Sequence, residues 1–239
     1  MKPNFYQHLD NKKSYALFKN LRTVDAREAI KSTRSLIYRL TTPTESKIKD
    51  VNLFGPYRLA DEKKRANRNI ESISALVFDI DNAQGKSFQD IFELVSTFSG
   101  VLHTTWSHTE DNPRYRICLT LTDEIQASDY LTIRDSFLMF NSELGALTDR
   151  SCSDISRAYY LFSYPPENAG AASCCALLGE PINPTHFKRS IFVGKGSLLD
   201  SRSSASLVSI LAGGVTEGSR NSSLASLVGS LYSKGANQT

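Results

Sequence analysis

Hydrophobic residues in this chain come in short runs separated by polar breakers. In the first 42 residues, Phe5, Leu9, Tyr15, Leu17, Phe18 and Leu21 sit among charges, and the stretch AREAIKSTRSLIYRL follows at amphipathic spacing. That pattern predicts a mostly helical segment over 1–42, with Thr23 or Asp25 capping its second run. Residues 43–72 are polar and read as a loop or irregular strand region. Residues 74–80, SALVFDI, are short, apolar and rich in β-branched and aromatic side chains, which predicts a buried strand. Asp81, Asn82 and Gly85 end it. Phe88, Ile91, Phe92, Val95 and Phe98 then recur at helical spacing, and Gly100 is the predicted stop.

A second strand is predicted at 101–105. Asp111-Asn112-Pro113 is turn chemistry, and beyond it Tyr115, Ile117, Leu119 and Leu121 alternate along 114–121, so the two strands predict a hairpin. A helix is predicted over 127–144 with Gly145 at its C-cap. Further strands are predicted at 157–163, halted by Pro165-Pro166, and at 171–178. From Ile191 the composition turns to Gly and Ser, a linker over 191–206. Two short helices, 207–211 and 221–232, make a small helical module over 207–239. No internal repeat is visible. Strands and helices in this order predict an α+β fold with its main domain over 1–190.

Composition changes this picture little. The chain has 239 residues, 40% hydrophobic and 22% charged, which suits a globular protein. No apolar run approaches the roughly 18 residues of a membrane span, and the N-terminus is polar from its start, so the expectation is a cytoplasmic protein with no membrane partner. Cys118, Cys152, Cys174 and Cys175 match no CxxC spacing and are expected as reduced thiols, a small zinc site including Cys152 being the weaker alternative. Charge is more informative. Residues 1–70 hold 16 Lys and Arg against 7 Asp and Glu, whereas 71–190 hold 8 against 16. An acidic centre beside a basic flank suits cation binding next to a polyanion track.

Three segments carry candidate chemistry. Asp79 and Asp81 end the apolar strand, and alternation puts both on one side of it. Carboxylates that close repel unless a cation neutralises them, and hard divalent ions such as Mg²⁺ or Mn²⁺ take such oxygen ligands. Ser107 and His108 follow the next strand, with Arg114 and Arg116 on one face of its hairpin partner. An imidazole can hydrogen-bond a phosphate, and a guanidinium can clamp one with two bonds. Asp149, with Asp154 as its alternative, and Arg157 lie in the polar stretch TDRSCSDISR. Together they are the residue types of two-metal phosphoryl transfer.

In this order the three segments resemble the motifs of the archaeo-eukaryotic primase superfamily, most closely the primases of plasmids, phages and other mobile elements. The resemblance spans about residues 55–165. It implies an RRM-like antiparallel catalytic sheet and template-directed synthesis of primers from nucleoside triphosphates on single-stranded DNA. It also implies two divalent ions, Mg²⁺ or Mn²⁺, on Asp79, Asp81 and Asp149. Ser107, His108, Arg114, Arg116 and Arg157 would contact the nucleotide, and Lys63, Lys64, Arg65 and Arg68 would track template phosphates. The tail from Glu217 to Gly235, with its Gly218-x-Arg220-Asn221 turn, is similar to the helical module that follows such domains, which implies a helicase partner in cis or in trans.

Two other readings compete. ALVFDIDN also resembles the nucleophile strand of haloacid-dehalogenase-type phosphatases, but Ala83 stands where that family has Thr or Val. A non-catalytic replication initiator that only binds nucleic acid is the other.

Overall fold

The computed structural model describes residues 12–26, 28–60, 64–149 and 153–187. Its centre is an antiparallel five-stranded sheet. Strand β6 (Ile70–Ile80) lies between β5 (Tyr57–Leu59) and β8 (Tyr115–Gln126), and β7 (Ser99–Thr104) joins β8 to β11 (Cys174–Leu178). Every residue of β6 except Glu71 is buried, as a strand covered on both faces must be. Helices α2 (Phe88–Val95) and α3 (Tyr130–Phe140) connect the strands, so that β6, α2 and β7 form a split β-α-β unit with β8 between its strands.

Alternation divides the sheet's side chains between two cores. Leu76, Phe78 and Ile80 of β6, with Ile117 and Leu119 of β8, face α2 and α3. Phe78 stacks on Phe137 of α3, ring centroids 5.7 Å apart. On the other face Ala75, Val77, Val101 and Cys118 pack against α1 (Thr33–Thr41) and a second antiparallel sheet. That sheet runs β2 (Glu28–Ser32), β1 (Lys12–Phe18), β4 (Leu53–Gly55), β9 (Tyr159–Tyr160). Two short parallel strands, β3 (Thr44–Glu45) and β10 (Ser163–Tyr164), run beside it. The α+β class and the antiparallel sheet with flanking helices are as expected. Among the described residues no helix is long and apolar enough to cross a membrane.

Several local expectations are corrected. The described part of 1–42 is two strands and one helix, not mostly helix. Tyr15, Ala16, Leu17 and Phe18 are all buried, because β1 is covered on both faces; such a run carries no strand alternation to read. The cap of α1 is Ser32, which accepts from the Ser35 amide, rather than Thr23 or Asp25. Gly100 does not stop α2, which ends at Val95. It lies inside β7, where a Cβ would meet the Cys118 carbonyl oxygen at 2.0 Å. Gly145 likewise sits within α4 (Ser142–Leu147), pressed against the Leu138 carbonyl of α3, so 127–144 is a 3₁₀ turn and two helices. The expected strand over 157–163 is the two short strands β9 and β10. The linker over 191–206 and the module over 207–239 lie outside the described residues.

Candidate functional site

The hairpin of β7 and β8 sets the site. Its register places His103 opposite Arg116, and Arg116 lies opposite Asp79 on β6. Side chains directly opposite on one face are neighbours, so Asp79, Arg116 and His103 form one buried row across three strands. Arg116 donates from Nε to one Asp79 oxygen at 2.6 Å and from Nη2 to the other at 3.1 Å. Its Nη1 donates to the Tyr160 carbonyl at 2.7 Å, and its guanidinium lies 5.2 Å from the Tyr159 ring centroid. Arg157 adds a second charge 3.7 Å from Asp79. Burial opposes ionisation of Asp79, but the charge and hydrogen bonds of Arg116, with Arg157 and His103 behind, outweigh it and hold the carboxyl below its ordinary value.

His103 is silent in the sequence, because a histidine between apolar strand residues carries no signal of its own. Its one readable cue is the hairpin register. The ring is fully buried against Phe162, with Nδ1 2.7 Å from the Thr104 carbonyl and Nε2 without a hydrogen-bond partner. Burial and the Arg116 charge lower its pKa to about 4, so it is neutral at pH 7.

Asp81 lies just past the end of β6, half-exposed, 3.0 Å from Arg114 Nη1. Asp149 arrives from the end of α4, and its backbone N–H donates to the Asp79 carbonyl at 2.9 Å, which ties this segment to the strand end. His108 follows β7. Its Nδ1 accepts from the Arg114 backbone N–H at 3.1 Å, so in the neutral ring the proton is on Nε2. Burial lowers its pKa and favours that neutral form. The ring sits on Tyr115 and lines a cavity of about 570 Å³ with the 82–88 turn and Ser173. Gln84 and Gly85 take positive φ in that turn, and a Ser87–Asp90 capping box opens α2 behind it. Ser107 meets Lys49 Nζ at 3.3 Å, and Lys49 lies over the Tyr160 ring.

The structure therefore brings Asp79, Asp81, Asp149, His108, Arg114, Arg116 and Arg157 to one end of the sheet. Asp154 is turned to its own loop, accepting from Ser156. The expected basic track divides. Lys63 lies outside the described residues, Lys64 and Arg68 are exposed, and Arg65 is a brace, donating to the Leu21 carbonyl and lying over the Phe18 ring. Cys118 is a buried thiol pushed up to about 12, Cys174 and Cys175 are half-buried thiols, and Cys152 lies outside the described residues.

Residues 9–164 match the profile of the VapE N-terminal domain. The chain belongs to that family. The VapE N-terminal domain match runs from β1 to β10 and takes in every carboxylate, histidine and arginine of the candidate site. Among the curated proteins nothing matches. Among solved structures the chain is similar to the AEP domain of the cyanophage S-2L primase-polymerase (PrimPol), at a TM-score of 0.43 and 13% identity, over 78% of this chain and 94% of that one.

The donor chemistry at the strand end, carboxylate oxygen, is that of a hard divalent ion. The arrangement is not. Among the described residues no three His, Cys, Asp or Glu side chains stand close enough to hold a metal ion. Arg116 and Arg157 relieve Asp79, and Arg114 relieves Asp81. The three-carboxylate cage that the resemblance implies does not fit the site as it stands.

Proposed function

We propose that this chain is the catalytic domain of a replication primase of the archaeo-eukaryotic type, joining nucleotides on a single-stranded DNA template. One observation carries the reading: Asp81, Arg114 and the His108 ring converge where the Asp149 backbone is bound to the end of β6. The β6 end thereby supplies an acid, the β7–β8 hairpin a cation and a neutral donor, and the segment after α4 is tied to them through its backbone.

In this reading a nucleoside triphosphate lies in the cavity at His108, and the Nε2–H donates to a phosphate oxygen. Arg114 and Arg157 neutralise charge as the 3′-hydroxyl of the preceding nucleotide, giving its proton to the Asp81 carboxylate, attacks the α-phosphate and pyrophosphate leaves. Arg116 acts one step back, holding Asp79 and the Tyr160 carbonyl so that the strand end keeps its shape. Mg²⁺ or Mn²⁺, and a helicase partner in cis or in trans, are implied by the resemblance alone.

The test is synthesis without a primer: the full chain, single-stranded template, labelled ribo- and deoxyribonucleotides, and Mn²⁺ or Mg²⁺. Labelled oligonucleotides are expected from the wild type, reduced at least a hundredfold by Asp81→Asn, whose exposed side chain leaves the fold intact. No incorporation by the wild type would overturn the reading. The non-catalytic binding module is favoured by one observation, that Asp79 is already satisfied by Arg116; it predicts DNA binding with no synthesis. A phosphatase using Asp79 as nucleophile needs an open carboxylate, and both Asp79 oxygens accept from Arg116.

A further inference from the structure

We infer that Lys86 is the phosphate contact of the cavity at His108 and that Glu143 competes for it, so that a phosphate entering the cavity must take the ammonium from Glu143; this deepens the primase reading and rests on it for the ligand, a nucleoside triphosphate. Lys86 lines the cavity, yet its Nζ lies 2.6 Å from Oε1 of Glu143 on α4, a residue that is not part of the cavity wall. The backbone of Lys86 is pinned on both sides. Its N–H donates to the Ala83 carbonyl at 2.9 Å, and its carbonyl accepts from the Tyr115 hydroxyl at 3.2 Å. The same Tyr115 ring carries the His108 imidazole, centroids 5.5 Å apart. One residue of β8 therefore sets both the Lys86 backbone and the His108 ring against the cavity, and only the flexible stem of the lysine is left to swing.

Charge makes the direction of that stem decisive. Among the described residues that line the cavity, Lys86 is the single cation, and Glu110 and Asp111 stand in the same wall. His108 adds a neutral N–H. With the ammonium turned out to Glu143, the cavity offers a phosphate two like charges and one uncharged donor. With the ammonium turned in, it offers a compact charge carrying three donors beside an imidazole, and a charge-assisted bond to phosphate is the stronger kind.

The bridge is built to be given up. Its side chains are 31% and 57% exposed, so water and salt screen it and it holds the ammonium only weakly. Glu143 lies in the first turn of α4, where the helix N-terminus favours a carboxylate, so it keeps a favourable field when Lys86 leaves. Leu144 and Leu147 bury α4 in the core, so losing the bridge does not loosen the helix that leads to Asp149. The cost of turning the lysine inward appears as a lowered affinity for any ligand that needs its charge, and not for one that does not.

The test titrates the full chain with adenosine triphosphate, and with adenosine as the uncharged control, by calorimetry at fixed Mg²⁺ and salt. Glu143→Gln is expected to bind the triphosphate about threefold more tightly, the scale of an exposed ion pair. Lys86→Ala is expected to bind it about tenfold more weakly, the loss of one charge-assisted bond. The double variant is expected to match Lys86→Ala, because Glu143 acts only through the lysine. Adenosine is expected to bind all four proteins equally. A Glu143→Gln protein that binds the triphosphate no more tightly than wild type, or a gain that persists when residue 86 is already alanine, would overturn the inference. If Lys86→Ala does not fold, Glu143→Gln decides alone, since its exposed side chain leaves the core untouched. This pattern in a chain that joins no nucleotides would sink the primase reading and leave the competition standing. Primer synthesis with the nucleotide KM of Glu143→Gln unchanged would do the reverse.

Discussion

Arg116 and Asp79 face each other across β8 and β6 as a two-bond ion pair, 2.6 and 3.1 Å, with side chains only 8% and 7% exposed. Truncating one member of such a pair strands a buried charge, which costs about 3–5 kcal/mol. Arg116→Ala and Asp79→Ala are each expected to destabilise by that amount, and the double variant by clearly less than their sum. Urea unfolding of the four proteins in a double-mutant cycle reads this directly, and additive losses would contradict it.

Arg116 also stands where a metal ion would relieve Asp79. Arg116→Met keeps the bulk of the side chain and removes its charge. Its expected effect is tighter Mn²⁺ binding than in the wild type, followed by electron paramagnetic resonance of the free ion. Unchanged or weaker Mn²⁺ binding in a folded variant would mean that the guanidinium does not compete with a metal at this carboxylate.

His103 gives the fold an acid sensitivity of its own. Its pKa falls from an ordinary 6.5 to about 4 on folding, so the unfolded chain takes up its proton first as pH drops. The folded state therefore loses stability as pH falls from about 6.5 to about 4, by roughly 3 kcal/mol in all. Asp79 acts at lower pH still: its depressed carboxyl contributes stability above the unfolded value near 4, which is lost as pH falls through the folded value. His103→Phe is expected to flatten the upper part of that decline in melting temperatures measured from pH 7 to pH 4. An unchanged profile would show that the ring is not the titrating group.

The tautomer of His108 separates two substitutions. Gln can present a donor near the Nε2 position, whereas Asn mimics only Nδ1, the atom that accepts from Arg114. His108→Asn is expected to raise KM for the nucleotide about tenfold, the worth of a typical lost hydrogen bond to a charged group, with His108→Gln intermediate. Equal KM values for all three proteins would exclude the proposed phosphate contact.

Arg65 is expected to serve the fold rather than a DNA track. Through the Leu21 carbonyl and the Phe18 ring it fastens the 64–69 turn to the end of β1. Arg65→Ala is expected to lower the melting temperature by a few degrees while the affinity for single-stranded DNA stays as in the wild type. Weakened binding at unchanged stability would return Arg65 to the DNA-contact set.

Much of this protein was determined by local sequence alone. SALVFDI had to be a buried strand, because a short run of β-branched and aromatic residues is stable only with both faces covered. The hairpin was legible from the alternation after the Asp111-Asn112-Pro113 turn, and Asp79, Asp81, His108 and the arginines stood out as charges at strand ends. Contacts between distant segments decided the rest. β1 is a strand because β2 and β4 pair with it, and Gly100 and Gly145 are small because a neighbouring backbone passes over them, not because a helix stops there. The partner of Asp79 was likewise undetermined. A carboxylate's need for a cation is written in its charge, but whether a metal ion or a guanidinium meets it depends on strand register, and the register of β6 on β8 puts Arg116 there.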